Sequence, residues 1–588
     1  MTKKNSYINS FIENDTIFVI EKDEKGEKHL IEYPIDYYFY YDDPKGDNIS
    51  IFGNRVQLFT TKSKKKFQQE LELLKSKGIK TYESDINPVF KCLEKNYKNS
   101  PCPELNVLFF DIEADMDPEK GYASPSDPFA KIISISFYMS WIEEIFTLVI
   151  PPKTILDENE NIVREITEKD IENINNSFTN IFICENEKIL LKTFLEAIQD
   201  ADVISGWNST GYDIPYLINR ISLVLTKDYT RKLCFFNRLP KQRTFKKFGK
   251  EIETYDLIGR IHLDYLDLYT KHSQQQLHSY RLDYVSLIEL NEQKTKYEGT
   301  LYDLYNKNFK KFIEYNRQDV HLLRMLDKKL KYIDLANRIA HENGVLIQNT
   351  LGSVALIDQA IVLEAHSRGM VVPDKKIDKN EEETDFYDDE IAEEEKEEEL
   401  EHAVVGAYVA NPKQGLHKWI AGCDINSLYP SIIRSFNMGP ETIVGQVRQT
   451  LTNEFIQENL KKQNKKEKEK NKLFDEMFSC LEYEEIMKKS NKDLIIDFEN
   501  GQTKTMKAYE IYNMIFSENS NLCLTSNATI FSYEKDGIIP LLLDRWYKER
   551  KEMQNIAKIC QNIYVNGSMK LSDEDFEWLN SILDENKI

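Results

Sequence analysis

Asp424-Ile-Asn-Ser-Leu-Tyr-Pro-Ser-Ile-Ile433 is the stretch whose reading decides the architecture. The residues before it, Trp419-Ile-Ala-Gly-Cys423, are apolar and read as a strand that delivers a carboxylate at its end. A turn follows, then an aromatic, a proline and the start of a helix. A carboxylate beside a turn and a helix start suits the grip of a metal-bound triphosphate.

Around this stretch lie 588 residues, enough for several domains at roughly one per 100–200 residues. Hydrophobic residues make up 41%, enough for real cores, and charged residues 30%. The longest apolar stretch, 132–150, is broken by Glu143 and Glu144. It falls short of the ~18 uncharged residues that a membrane span needs. Met1-Thr-Lys-Lys-Asn-Ser opens no long apolar region, so no signal peptide is expected. The eight cysteines form no CxxC pair, which argues against structural zinc and a disulfide scaffold and for a reducing compartment. The net charge of −22 is unusual for a nucleic-acid binder, but residues 381–401 alone hold fourteen Asp/Glu and one Lys, −13 of that total. The remainder can still carry a basic groove, because binding responds to local charge.

Residues 1–104 read as a small α/β unit, with strands at Thr16-Ile-Phe-Val-Ile20 and Tyr37-Tyr-Phe-Tyr-Tyr41 and an amphipathic helix near 65–77. At Leu105-Asn-Val-Leu-Phe-Phe110 the texture changes to a buried strand, with neighbours expected at 132–138 and 145–150. Helical periodicity returns at 187–198, a short strand follows at 202–205, and 300–343 is mostly helical. The acidic run 381–401 reads as a solvated linker, and the Lys-rich run 461–472 as an exposed segment.

Asp111 and Glu113 close the strand 105–110, and an i, i+2 pair on a strand shares one face. Two unpaired carboxylates there are costly unless a cation neutralises them. Downstream comes Ser205-Gly-Trp-Asn-Ser-Thr-Gly-Tyr-Asp-Ile-Pro-Tyr, with Asp213 just before a helix whose first turn holds Pro215. Then Tyr315-Asn-Arg-Gln-Asp319 puts Tyr315 and Asp319 on one helical face. Taken singly, these read as surface carboxylates, an N-cap and a solvated face.

Together, Asp111/Glu113, Asn208…Asp213 and Tyr315…Asp319 resemble, in order and spacing, the three motifs of the DnaQ-like 3′–5′ exonuclease of family B DNA polymerases. His262-Leu-Asp-Tyr-Leu-Asp-Leu-Tyr269 resembles the phage-type, T-even-like members. The resemblance implies that Asp111, Glu113 and Asp213 share two Mg²⁺ ions (Mn²⁺ the alternative) and that Asp319 completes the site. It implies that Tyr315 orients the attacking water and that Asn208 and Tyr212 line a single-strand channel. The basic segment 236–253 is either a strand-separating hairpin or a plain basic loop.

The opening stretch resembles motif A of the same family, and Val405-Gly-Ala-Tyr-Val409 resembles its template-contacting segment, with Gly406 a DNA-binding candidate. Asn437-Met-Gly-Pro-Glu-Thr-Ile443 continues the phage-type pattern. By resemblance, Asp424 and the Ile425 carbonyl ligate metal, the N–H groups of Ser427, Leu428 and Tyr429 cradle the triphosphate, and Tyr429 packs under the sugar. Gly537-Ile-Ile-Pro540 leads into a stretch resembling the first fingers helix, with Arg550 at the γ-phosphate position. The family's Lys one turn later is Gln554 here, leaving Lys548 or Lys551 as substitutes. No Lys-x3-Asn-Ser-x-Tyr-Gly helix or Asp-Thr-Asp hairpin follows motif A; Tyr41-Asp42-Asp43 and Tyr387-Asp388-Asp389 lie in the wrong places to serve.

The fold class expected is therefore α/β multidomain. It combines an N-terminal domain (1–104), an RNase H-like exonuclease domain (105–343) and a return to the N-terminal domain (344–380). An acidic linker (381–401), a palm with an insertion (402–535) and the first part of the fingers (536–588) complete it. The function implied is DNA-directed DNA polymerase with proofreading exonuclease in replication, cytoplasmic, in a bacterial host if viral. The partners implied are primer–template DNA, dNTPs and a second polypeptide carrying the remaining fingers, palm and thumb, with a sliding clamp a further candidate. Two other readings stay open: a stand-alone single-strand exonuclease, and a DNA-binding module with vestigial sites.

Overall fold

A computed structural model describes residues 5–23, 25–117, 120–157, 162–247, 250–273, 275–375, 413–447, 487–525 and 528–566. The acidic run 381–401, Gly406 with its segment and the Lys-rich run 461–472 lie outside the described residues. The chain divides into two units. The first comprises Met1–Asp42, Leu58–Leu363 and Pro373–Glu401, the second Asp43–Gln57, Glu364–Val372 and His402–Ile588.

In the first unit a six-stranded sheet positions the chemistry. Its strands are β1 (Val107–Ala114), β2 (Ile132–Met139), β3 (Glu144–Val149), β4 (Ile181–Ile183), β5 (Val203–Gly206) and, after a separate hairpin of β6 (Lys241–Lys247) and β7 (Lys250–Asp256), β8 (Ile261–Asp264). The spatial order is β4-β3-β2-β1-β5-β8. β1 pairs antiparallel with β2 and parallel with β5, so both its edges are taken. Val107, Leu108, Phe109 and Phe110 are all buried, as a central strand covered on both faces requires.

Helix α1 (Asp213–Val224) follows β5, helix α2 (Tyr265–His272) follows β8, and helix α3 (Phe309–Leu330) lies across β1 and β2. On α3 the buried positions are Phe309, Phe312, Ile313, Asn316, Asp319, Val320, Leu322, Leu323 and Leu326. That is the 3.6-residue stripe of an amphipathic helix, and two of its members are polar.

The N-terminal strands Ser6–Glu13, Thr16–Lys22 and Lys28–Pro34 form an antiparallel meander that shares a core with this sheet. Tyr7 stacks on His341 at 4.1 Å and donates its hydroxyl to the Val345 carbonyl at 2.8 Å. Further along, Asp374 accepts bonds from Thr81 Oγ1 and Ser84 Oγ, both at 2.6 Å.

The second unit holds an antiparallel five-stranded sheet, in the order Thr503–Lys507, Asp493–Phe498, Ile443–Val447, Thr529–Ser532, Leu522–Leu524. The helix Ala508–Phe516 covers it, with Ile511 and Ile515 buried against Leu494, Ile496 and Ile530. Helices α4 (Leu428–Ser435) and α5 (Ile538–Asn566) pack on each other. Arg434 of α4 bonds Asp544 at 3.2 Å and lies 4.5 Å from the ring centroid of Tyr547. In the same unit Met370–Val371 pairs in parallel with Asn48–Ser50.

One expected element is absent. Residues 419–423 form no strand, and Trp419 and Ile420 are 99% and 77% exposed. An extended segment becomes a strand only by exchanging backbone hydrogen bonds with a neighbour, and no described strand pairs with this one.

Candidate active site

Near its end β1 carries Asp111, Ile112 and Glu113; Ile112 turns into the core while the two carboxylates share the other face. α3 brings Asp319 over that face. Oxygens of Asp111, Glu113 and Asp319 all lie within 4.8 Å of one another. Asp213 approaches from the first turn of α1, and its Oδ1 accepts the N–H of Ile112 at 3.4 Å. It does not cap the helix: Tyr212 holds the N-cap position, without a side-chain capping bond. Pro215 sits inside the first turn, where its missing N–H costs nothing.

Burial, followed by the charges of Glu113, Asp319 and Asp213, holds the Asp111 carboxyl well above its ordinary range. Burial and the nearby Asp319 push Glu113 up to about 8. Burial raises Asp213 to about 7, against the opposing Ile112 N–H. Burial also raises Asp319, against the opposing Lys294. Among the described residues, four acids raised together beside a single lysine mark a centre with more negative charge than the protein offsets. Asp319 Oδ1 is moreover buried without a hydrogen-bond partner among the described residues. An all-oxygen donor set with an orphaned lone pair fits a hard divalent cation.

Three residues have supporting roles that the sequence reading did not assign, although it quoted the stretch that holds Asp264. Lys294 Nζ donates to Asp319 Oδ2 at 2.6 Å and lies 3.5 Å from the Tyr315 hydroxyl. Its loop gave no signal, since one lysine among Asn291-Glu-Gln-Lys-Thr-Lys296 is indistinguishable from solvated charge. Asn316 donates Nδ2 to Asp111 Oδ2 at 2.7 Å and accepts the Ser134 hydroxyl at 2.8 Å. Its position three residues before Asp319, on the same helical face, was a usable signal. Asp264, buried at the end of β8, accepts backbone N–H groups of the loop between β5 and α1.

That loop begins at Gly206, where a Cβ would meet Ser209 Cβ at 3.0 Å and the Phe110 carbonyl at 3.1 Å. Asn208 is exposed at a left-handed φ of 60°, and Tyr212 stacks on Tyr216 at 5.4 Å. The basic segment is a hairpin, β6–β7, in which Arg243 bonds Asp256 at 2.8 Å.

In the second unit the motif A residues are open to solvent. Asp424 is exposed, Ile425, Leu428 and Tyr429 are 64%, 41% and 65% exposed, and Ser427 takes a left-handed φ of 53° at the N-cap of α4. Among the described residues no further carboxylate joins Asp424 in a ligand cluster. Arg550 is exposed on α5. Of the substitute lysines, Lys548 bonds Asp544 at 2.6 Å and Lys551 sits 5.6 Å from the Tyr547 ring centroid.

Two models of one family match the chain. "DNA polymerase family B, exonuclease domain" covers residues 62–285, and "DNA polymerase family B" covers 349–566. The chain belongs to DNA polymerase family B. Tyr315 and Asp319 fall between the two matches. The DNA-directed DNA polymerase of Escherichia phage RB69 is 28% identical over 364 residues, 60% of this chain and 37% of the phage protein. That of Enterobacteria phage T4 is 27% identical over 274 residues, 46% of this chain and 28% of its own. The DNA polymerase of Thermococcus litoralis is 27% identical over 356 residues, covering 58% and 17%. The chain thus spans about a third of the length of the phage relatives it matches. No described helix is long and apolar enough to cross a membrane.

Proposed function

We propose that this chain provides the 3′–5′ proofreading exonuclease and part of the synthetic site of a replicative DNA polymerase, with primer–template DNA and dNTPs as substrates. The observation that carries the reading is the convergence of Asp111, Glu113 and Asp319 within 4.8 Å, with Asp213 adjoining. Mg²⁺, or Mn²⁺ in its place, suits these oxygens. When bound, a metal pair supplies a nucleophile from water and offsets charge on the attacking and leaving oxygens. Asp111, Glu113 and Asp213 hold the metals, and Asp319 completes the set. Tyr315 presents its hydroxyl to the attacking water. Lys294 fixes Asp319 and supplies positive charge beside the scissile phosphate. Asn208 and Tyr212 line the path of the frayed strand, and the β6–β7 hairpin helps part it from the template.

For synthesis, Asp424 and the Ile425 carbonyl hold metal. The N–H groups of Ser427, Leu428 and Tyr429 with Arg550 hold the triphosphate, and Gly406 lies along the template. Among the described residues Asp424 is exposed and no strand pairs with 419–423, which supports a further requirement: a second polypeptide that brings the other catalytic aspartate, the closing fingers helix and the thumb. A sliding clamp and the cytoplasm of a bacterial host fit the same role. Primer extension tests the requirement. The chain alone is expected to leave a primer unextended while degrading it with Mg²⁺; robust extension by the chain alone contradicts the proposal.

A second reading, a stand-alone exonuclease on single strands, is favoured by one observation: among the described residues only the Asp111 cluster is assembled. It predicts that no added polypeptide confers extension.

A further inference from the structure

We propose that Asp264 is the positioning residue of the exonuclease centre, locking the loop that carries Asn208, Tyr212 and Asp213; this rests on the exonuclease reading above. Asp264 is 2% exposed and is the register partner of Gly206, where the loop leaves β5. Its Oδ1 accepts the N–H of Asn208 at 2.8 Å and of Leu266 at 3.0 Å, and its Oδ2 accepts the N–H of Thr210 at 2.9 Å. The bond to Leu266 caps α2. The other two are surplus to capping and reach only the loop.

The loop is held from other sides as well. Thr254 of β7 donates its hydroxyl to the Thr210 carbonyl at 2.9 Å, and Ser209 Oγ pairs with His262 Nε2 at 2.8 Å. Each residue from 208 to 210 is therefore tied to β7 or β8, and the left-handed turn at Asn208 is fixed before DNA or metal arrives. Such fixing matters because the next element begins with Asp213. A further buried acid beside an acidic centre is unfavourable, and the charge of Asp264 contributes to raising Asp213. A carboxylate is nonetheless the only side chain of this size that offers two acceptor oxygens to three N–H groups. Through Thr254 the lock also joins the hairpin β6–β7 to the metal-binding loop.

Asp264→Asn tests this selectively. The amide keeps one oxygen for Leu266 and Asn208 but turns an NH₂ group against the Thr210 N–H. The full-length chain is compared with this variant and with Thr254→Val, which removes a loop bond without touching α2. Amide exchange at 208–212, Mg²⁺ binding by calorimetry, and degradation of a single-stranded oligonucleotide are measured. In Asp264→Asn the exchange at Thr210 is expected to rise tenfold or more. The Mg²⁺ needed for half-saturation should rise by about tenfold and the rate fall by about 10–100-fold, the usual cost of losing a residue that orients a metal ligand. Thr254→Val should move all three in the same direction by less, with the melting temperature held. The idea is overturned if both variants exchange, bind Mg²⁺ and cut as the wild type does. It is equally overturned if Asp264→Asn only lowers the melting temperature while exchange near Thr210 and Mg²⁺ binding by the folded protein stay unchanged. If the wild-type chain cuts no DNA, the exonuclease reading fails and the exchange and calorimetric results decide the lock by themselves.

Discussion

Two aspartates in this chain end an apolar run of similar length, and their surroundings differ entirely. The run before Asp111 has β2 on one edge and β5 on the other, so it is buried and its carboxylates are pressed against α3. The run before Asp424 has no described partner strand, and its side chains stand in solvent. A carboxylate becomes a metal ligand when a scaffold forces a second and third carboxylate beside it. Local sequence supplies the first ligand in both regions; tertiary pairing supplies the rest in only one of them.

The largest expected effect separates the two directly. Asp111→Ala should lower Mg²⁺-dependent degradation of single-stranded DNA on the order of a thousandfold, several kcal/mol of lost transition-state stabilisation. Its melting temperature without metal should hold or rise, because one of several crowded acids is gone. Asp424→Ala should leave degradation within about twofold, the level expected of a group that does not touch the reaction. Equal losses in the two variants would break the comparison.

A smaller effect is expected from Asn316→Ala, which removes the amide that holds Asp111 Oδ2. Single-turnover kinetics should show the rate reduced by about 10–100-fold with the fold intact. A rate unchanged from wild type would mean that Asp111 finds its geometry without this bond.

The smallest effect supplies a control for buried acids outside the centre. Asp327 lies on the same helix as Asp319, and burial raises its carboxyl to about 6. Its folded-state value exceeds its unfolded value of 3.8, so its contribution to stability is fully present below about pH 4 and lost as pH rises through about 6. Asp327→Asn keeps an acceptor for Tyr265 and Ile333 and should flatten the stability profile across that window, by on the order of 1–3 kcal/mol. Mg²⁺ should not alter this difference; a Mg²⁺-dependent change would place Asp327 inside the metal centre.

Much of this was legible in the residues. The buried run before Asp111, the helical spacing of Tyr315 and Asp319 and the proline after Asp213 each encode local geometry, and the elements formed near the expected boundaries. The family followed from the order of these motifs. Lys294 was not legible as a support, because it reaches Asp319 from a loop that nothing nearby marks; Asp264 lies in the quoted stretch 262–269, but its bonds to residues 208 and 210 are made only by tertiary pairing. Residues 419–423 failed for the complementary reason. Their composition suits a strand, but a strand is a property of two paired segments, and no described strand pairs with this one.

The most direct test is calorimetric titration of Mn²⁺ into the full-length chain, its Asp111→Ala variant and its Asp424→Ala variant, without DNA. The account predicts binding in the wild type, the same binding in Asp424→Ala and its loss in Asp111→Ala. Binding that survives in Asp111→Ala and disappears in Asp424→Ala would contradict it.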